Sequence, residues 1–268
     1  MPILRNGDDS PWVSDVQRVL QERGFYQTAI DGDFGSGTES AVRGFQLSLH
    51  LPVTGQVDEA TARALGLDHL IGPVRTCSPE SAVLLFPGTR FANVEYNLPF
   101  VVGGLTQTAL ADKPMFLMAL ATIRAETAMF IPISEGVSRF NTSPGGRPFD
   151  LYDNRRDLGN QGPPDGERYK GRGYVQLTGR ANYTDIGRRI NLGDRLVDDP
   201  EKANDPDIAG KILAEFLKRA ETQIRAALNR NDLAEARKAV NGGSHGLNPF
   251  RTAYLRGEEV YADDLRLS

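Results

Sequence analysis

The sequence is poor in cysteine: Cys77 is the only one among 268 residues. Disulfides within the chain are therefore impossible, and a zinc site built on thiolates is not expected. No segment approaches the roughly 18 apolar residues that a membrane-spanning helix needs. The N-terminal segment "MPILRNGDDSPW" lacks the basic and apolar regions of a secretory signal. These absences predict a protein without a signal peptide or membrane insertion, held in the cytoplasm until something else releases it.

Positive charge is also sparse near the N-terminus. No lysine precedes Lys113, and residues 1–67 hold nine acidic residues against five arginines. The whole net charge of −4 therefore belongs to this segment, and the remainder is neutral. Neither part forms the basic surface that binds nucleic acids or the polybasic patch that binds anionic membranes.

The first 67 residues have the pattern of a small helical module. Ser10 is suited to cap a helix that Pro11 opens and Gly24 ends. A turn rich in glycine and aspartate then leads into a second helix, and "TGQVDEATARALGL" forms a third, shorter unit. The second and third units share a glycine turn, an acidic residue, a threonine and an apolar helix face, which indicates a weak internal repeat.

This module resembles the three-helix peptidoglycan-binding domain of many wall hydrolases. The matching segments are "LRNGDDSPWVSDVQRVLQERGF", "IDGDFGSGTESAVRGFQ" and "TGQVDEATARAL", of which the "DGDFG" turn and the Phe45-Gln46 pair are the most specific. The resemblance implies bacterial peptidoglycan as the partner. The pattern alone is equally compatible with a generic helical oligomerisation or cap domain.

The rest of the chain predicts a linker over residues 68–79 and a second, mainly helical domain over residues 80–268. The linker contains Gly-Pro and no helical period. In the second domain, Pro206 opens a long helix and a later helix stops at Gly242-Gly243. Strand-like alternation is confined to the surroundings of "RGYVQLTG". The predicted fold class is therefore mainly α.

Two glutamates on either side of Pro132 are candidates for catalysis. Glu126 ends the apolar segment "MFLMALATIRAE", where burial and the helix dipole disfavour a charged carboxylate. Glu135 follows in the polar stretch "ISEG", where we expect an exposed, ionised side chain. Carboxyl groups in contrasting environments are typical of an acid and base pair. An ion pair of Glu126 with Arg124 or Arg172, and a solvated Glu135, would be the structural alternative.

Two polar segments add candidate ligand contacts. The block "YKGRGYVQLTGRANY" combines glycines with amide, hydroxyl and tyrosine side chains that suit sugars, and "VNGGSHG" ends a helix with an amide and a glycine pair. The block could also be a structural hairpin with exposed polar residues. The candidate substrate-binding residues are Tyr169, Arg172, Gln176, Asn182, Tyr183 and Asn241.

Together, "AET", "YKGRGYVQLTGRANY" and "VNGG" resemble glycoside hydrolase family 19, which includes plant-type chitinases and phage endolysins with a lysozyme-like helical fold. The resemblance implies that Glu126 is the general acid, Glu135 the general base and Thr178 the hydroxyl that holds the attacking water. It implies no cofactor and no metal. An inverting mechanism would place the carboxyl groups roughly 6.5–9.5 Å apart.

The chain departs from the chitinases in three ways. Ala125 stands where they have histidine, the two glutamates are closer in sequence, and the single cysteine cannot form their disulfides. We therefore expect a monomeric endolysin of N-acetylmuramidase type, which waits in the host cytoplasm and then cleaves the β-1,4 bond between N-acetylmuramic acid and N-acetylglucosamine. A chitinase with a wall-binding module, a lytic transglycosylase and an inactive wall-binding protein remain alternatives.

Overall fold

The computed structural model describes residues 4–243 and 246–267, and helices dominate this part of the chain. The chain divides into two compact units: unit 1 comprises Met1–Leu98 with Thr252–Ser268, and unit 2 comprises Pro99–Arg251. The predicted mainly α fold, with a small helical module followed by a larger helical domain, is confirmed. None of the described helices is both long and apolar enough to cross a membrane.

Unit 1 begins with three helices and contains a small sheet. Its elements are α1 (Pro11–Glu22), α2 (Ser36–Ser48), α3 (Glu59–Leu65), β1 (Val74–Thr76), α4 (Pro79–Ala82), the start of α5 (Phe91–Gln107), the end of α12 (Leu247–Val260) and β4 (Tyr261–Arg266). Short 3-10 turns cover Asp68–Leu70 and Val83–Leu85.

The predicted start of α1 is confirmed. The Ser10 hydroxyl accepts a hydrogen bond from the Val13 amide at 3.4 Å, and Pro11 is the first helical residue, where its missing N–H costs nothing. Val13, Val16 and Leu20 are buried on one face of this helix.

Two buried glutamines explain the internal repeat. Gln17 on α1 accepts from the Gly32 amide and donates to the Thr38 hydroxyl, both at 3.0 Å. Gln46 on α2 accepts from the Gly55 amide at 2.9 Å and donates to the Thr61 hydroxyl at 3.0 Å. Each glutamine thus joins a glycine turn to the first turn of the next helix, and both are fully buried. Because an unpaired buried amide is costly, the glycine and the threonine recur together.

Residues 68–79, predicted to be a linker, take part in regular structure. They contain a 3-10 turn and β1, which pairs in parallel with β4 near the end of the chain. A second long-range contact joins the buried Asp8 carboxylate to the Arg256 guanidinium at 2.8 Å. Unit 1 therefore extends well beyond the first 67 residues.

Cys77 follows β1 directly, and its chemistry is set by burial. Loss of solvent raises the pKa of the thiol to about 12. The thiol therefore stays protonated near neutral pH, and a protonated thiol is a poor nucleophile.

Unit 2 is almost entirely helical. It contains most of α5, then α6 (Lys113–Glu126), β2 (Ile133–Ser134), α7 (Asp165–Arg168), β3 (Arg172–Gly173), α8 (Arg180–Arg189), α9 (Arg195–Asp198), α10 (Pro206–Leu228), α11 (Leu233–Asn241) and the start of α12. Short 3-10 turns cover Asp150–Tyr152, Arg156–Leu158 and Pro200–Asn204.

The core of unit 2 is built around α6. Asp112 caps this helix by accepting from the Met115 amide at 3.1 Å, and every residue from 115 to 123 is buried. Gly104 on α5 and Gly210 on α10 allow these helices to touch, since a Cβ atom on Gly104 would lie 2.5 Å from the Gly210 carbonyl oxygen. The predictions that α6 ends at Glu126, that Pro206 opens α10 and that α11 stops at Gly242 are confirmed.

Candidate active site

Glu126 lies at the C-terminus of α6, where the buried helix reaches the surface of unit 2. Its side chain is 15% exposed, and Oε1 accepts a hydrogen bond of 2.6 Å from Nη2 of Arg237 on α11. The sequence predicted apolar surroundings for this carboxylate and, as an alternative, a pairing with Arg124 or Arg172. The structure adds a different cation, 111 residues further along the chain.

Arg237 is fully buried, which makes its contact with Glu126 structurally important. Its guanidinium also lies 5.6 Å from the centre of the Phe250 ring on α12. A buried guanidinium requires charged or polar partners because losing its hydration is costly. Arg237 therefore fixes the position of the Glu126 carboxylate relative to α11.

Two residues that follow α6 have an unusual backbone conformation. Ala128 and Phe130 both have positive φ, at 56° and 58°, although neither is glycine. Such conformations cost about 1–3 kcal/mol each and often occur at functional sites. Between Glu126 and Glu135, the chain thus turns sharply before it enters β2.

Glu135 follows β2, and β2 pairs with β3 in an antiparallel sheet. The Glu135 amide donates to the Gly171 carbonyl at 2.7 Å, and the Gly171 amide donates to Oε2 of Glu135 at 3.2 Å. The block "YKGRG", which the sequence singled out for ligand contact, therefore lies directly against the candidate base.

The other oxygen of Glu135 accepts two further hydrogen bonds. Asn141 donates from Nδ2 to Oε1 at 2.9 Å, and the Tyr152 hydroxyl donates to the same atom at 3.0 Å. Burial and the nearby Glu135 raise the pKa of Tyr152 to about 12, so this hydroxyl remains a donor at neutral pH. The sequence predicted an exposed, solvated Glu135. The structure instead shows a partly buried carboxylate held by three donors.

Gly171 permits the close approach of two candidate residues. A Cβ atom at this position would lie 2.8 Å from Oε1 of Gln176 and 3.2 Å from Oε2 of Glu135. Both side chains therefore approach the same backbone atom. Gln176 itself has a positive φ of 56° and donates from Nε2 to the Ile133 carbonyl at 3.1 Å, which ties it to β2.

Thr178 and Asn182 extend this cluster through hydrogen bonds with the backbone. The Thr178 hydroxyl donates to the Gln176 carbonyl at 2.8 Å, and Asn182 donates from Nδ2 to the Thr178 carbonyl at 2.8 Å. Both side chains are partly exposed. Thr178 keeps its acceptor lone pairs for a water molecule or a ligand.

Three side chains that the sequence predicted to contact substrate are buried in the structure. The side chains of Tyr169, Arg172 and Tyr183 are buried, whereas the sequence predicted that they contact substrate. The Tyr183 hydroxyl donates to the Lys170 carbonyl at 2.9 Å and accepts from Arg172 at 3.0 Å. We therefore assign these side chains a supporting role beneath the loop that carries Gly171.

Asn241 is the last residue of α11, four positions after Arg237. The structure describes the backbone of Asn241 but not its side chain, so the contact of this side chain with substrate stays a prediction. Gly246, at the start of α12, approaches Ala125, since a Cβ atom there would lie 3.1 Å from the Ala125 Cβ. Gly246 thus lies close to the residue that precedes Glu126.

Exposed apolar side chains concentrate in the segment of the chain that carries Glu135. Within the described part of unit 2, every large hydrophobic side chain that is exposed lies between residues 129 and 151; these are Met129, Ile133, Val137, Phe140 and Leu151. Such a concentration on one segment is typical of a binding surface. Phe140 is 74% exposed and offers an aromatic face that can stack on a sugar ring.

Sequence reasoning missed Arg237, Asn141 and Tyr152. The Arg237 contact joins residues 111 positions apart, which no local pattern reports. Asn141 and Tyr152 lie six and 17 residues after Glu135 in a stretch without regular period.

Within residues 4–243 and 246–267, no group of three histidine, cysteine or acidic side chains is arranged to hold a metal ion.

The N-terminal module is similar to a known family. Residues 9–65 match the family described as "Putative peptidoglycan binding domain". This match covers the three helices joined by Gln17 and Gln46, and it supports peptidoglycan as a partner of the chain.

Three solved structures are similar to parts of this chain. The SleB N-terminal domain is 35% identical over 24% of this chain and 89% of its own, with a TM-score of 0.24. Chitinase C from Streptomyces griseus is 17% identical over 70% of this chain and 79% of its own, with a TM-score of 0.47. A Burkholderia AP3 phage endolysin is 18% identical over 96% and 99%, with a TM-score of 0.28. These similarities are too low to assign an activity to this chain.

Proposed function

We propose that the protein is a peptidoglycan hydrolase of the glycosidase type, which cleaves the β-1,4 bond between N-acetylmuramic acid and N-acetylglucosamine. The observation that carries this proposal is the set of three hydrogen-bond donors around the Glu135 carboxylate, which are Asn141, Tyr152 and the Gly171 amide. We call this set the Glu135 cradle. It occurs in a chain that also has a peptidoglycan-binding match over residues 9–65.

In this proposal, Glu135 activates the attacking water. Its Oε1 accepts two hydrogen bonds and its Oε2 accepts one, from the Gly171 amide. A carboxylate oxygen has about two acceptor sites, so Oε2 keeps one for a water molecule. Gln176 lies next to Gly171, and the Thr178 hydroxyl donates to the Gln176 carbonyl; in this scheme both side chains orient that water.

In its protonated form, Glu126 delivers the proton to the leaving oxygen, and Arg237 pairs with the carboxylate that remains. Its position at the end of α6 is fixed by Arg237, so the carboxyl group is oriented before the substrate binds. Preorganised groups lower the barrier because they need no rearrangement during the reaction. Arg237 is a positioning residue in this scheme and transfers no proton.

The exposed apolar side chains between residues 129 and 151 support a glycan ligand on this face. Phe140 supplies a stacking surface, while Gln176 and Thr178 supply hydrogen bonds. Binding sites for sugars combine these two kinds of contact, since a sugar has apolar faces and a polar edge.

Mass spectrometry of the products from purified peptidoglycan tests the proposal. A muramidase releases fragments with reducing muramic acid ends. Glu126→Gln and Glu135→Gln should both abolish release, and both proteins should remain folded by circular dichroism. Anhydro ends, together with full activity of Glu135→Gln, would indicate a lytic transglycosylase, which needs one acid only. Absence of glycan cleavage by the wild-type protein would refute the proposal.

A further inference from the structure

A charged groove lies beside the Glu135 cradle. Its volume is about 430 Å³, and its charged lining consists of Glu167, Arg168, Lys170, Arg172, Asp198 and Glu201. Lys170 and Arg172 are the immediate neighbours of Gly171, whose amide donates to Glu135. Consecutive Cα atoms are about 3.8 Å apart, so the backbone of these two groove residues lies close to the residue that contacts the candidate base.

The groove carries both signs of charge in equal number, and most of these charges are not paired with each other. Between the six groove residues, all of which the structure describes, the only ion pair joins Arg172 to Glu201. Arg168 donates instead to the carbonyl oxygens of Val197 and Asp198, at 3.0 and 3.1 Å.

The charges that a ligand can reach are of both signs. Glu201 is 64% exposed despite its contact with Arg172, and Glu167 is exposed as well. The Lys170 ammonium lies 5.0 Å from the centre of the Phe149 ring and forms no ion pair among the described residues, although Arg172, and after it Lys170, lower the pKa of the Glu201 carboxyl. A neutral sugar chain gains little from such a groove, and a polyanion would meet as many carboxylates as cations.

We propose that this groove binds the stem peptide of the glycan substrate, a short peptide that carries both carboxylate and ammonium groups. Lys170 and Arg168 bind stem carboxylates, and Glu167 and Glu201 bind the ammonium group. This inference rests on the proposed function and deepens it, because the stem is attached to the muramic acid residue next to the cleaved bond. The substrate is then a peptide-bearing strand, and chitin lacks the group that the groove recognises.

The test compares two soluble substrates: uncross-linked glycan strands with their stem peptides, and the same strands after an amidase has removed the stems. For the wild-type protein, we expect kcat/KM to be about 10-fold higher on the peptide-bearing strands. The double variant Glu167→Gln, Lys170→Met removes one charge of each sign and keeps the side-chain lengths. Since exposed ion pairs contribute modestly, we expect it to reduce this preference about 3- to 10-fold, through KM on the peptide-bearing strands.

Lys218→Met is the matched control, because Lys218 is also a surface lysine of unit 2 but lies outside this groove, where it pairs with Glu221. It should keep the wild-type preference. Equal kcat/KM on the two substrates, or a double variant with the wild-type preference, would overturn the groove assignment and leave the glycosidase proposal standing. Cleavage of neither substrate would refute the glycosidase proposal, and the stem-peptide groove with it.

Discussion

Replacing Glu126 by glutamine should lower the stability of unit 2, although the sequence pattern alone predicts a slight stabilisation. The pattern shows an apolar segment that holds an ionisable group. The structure shows that the carboxylate is bound to Arg237, which is fully buried, through a hydrogen bond of 2.6 Å. Glutamine keeps an acceptor oxygen but removes the negative charge opposite this guanidinium.

The expected loss follows from the attraction between the two charges. The glutamine oxygen can still accept from the charged guanidinium, so only the charge–charge attraction is lost. Exposed ion pairs contribute about 0.2–1 kcal/mol, so this largely buried pair should contribute about 1–2 kcal/mol. Complete loss of a buried partner costs about 3–5 kcal/mol, which is an upper bound here because Glu126 is partly exposed. For a domain of this size, the melting temperature should fall by roughly 2–8 °C.

Glu59→Gln is a matched control for this measurement. Glu59 also accepts from an arginine Nη2, that of Arg63 at 2.7 Å, but both side chains are more than half exposed. Exposed ion pairs of this kind contribute about 0.3–0.5 kcal/mol, so this variant should melt close to the wild type. Lytic activity should be lost only in Glu126→Gln.

Two results would refute this reasoning. If Glu126→Gln is as stable as the wild type, Arg237 does not depend on the Glu126 charge. If it is destabilised but retains substantial lytic activity, Glu126 is a structural carboxylate and does not donate the proton. A double-mutant cycle with Arg237→Met should give a coupling energy of about 1–3 kcal/mol, and a value near zero would contradict the pairing.

Three further predictions concern other parts of the chain. Thr178→Ala should lower the lytic rate about 10- to 100-fold, while the free energy of unfolding should stay within about 1.5 kcal/mol of the wild-type value. An unchanged rate would exclude a role in holding water. A fragment of residues 80–268 should lose affinity for sedimented peptidoglycan. Its melting temperature should be lower than that of the full chain, because Arg256 loses the buried Asp8 carboxylate. Equal melting temperatures would contradict the importance of this ion pair. Burial raises the pKa of Tyr183 to about 12, whereas a tyrosine in the unfolded chain ionises near pH 10. The free energy of unfolding should therefore fall by up to about 2–3 kcal/mol between pH 10 and 12. In Tyr183→Phe, the free energy of unfolding should change less over this pH range.

Local features of the fold could be predicted from the sequence because their causes are local. Ser10 and Pro11 mark the start of α1, and Gly242 adopts the left-handed conformation that ends α11. The end of α6 at Glu126 follows from the apolar segment before it. Each of these signals depends on neighbours within a few residues along the chain.

Tertiary partners could not be predicted in the same way. The pairing of Glu126 with Arg237 and of β1 with β4 joins residues more than 100 positions apart. The chemical type of a side chain also does not reveal whether its partners are internal. Tyr183 has a hydroxyl suited to a sugar, yet that hydroxyl is used by Lys170 and Arg172 within the protein.

The division of the chain gives the candidate hydrolase unit two covalent attachments. Unit 2 is a continuous insertion between the two segments of unit 1, and the chain passes between the units once within α5 and once within α12. The two segments of unit 1 are themselves joined by the β1–β4 pairing and by Asp8 and Arg256. A protease that cuts the chain at one passage therefore leaves unit 2 tethered to unit 1 through the other, and detachment requires two cuts.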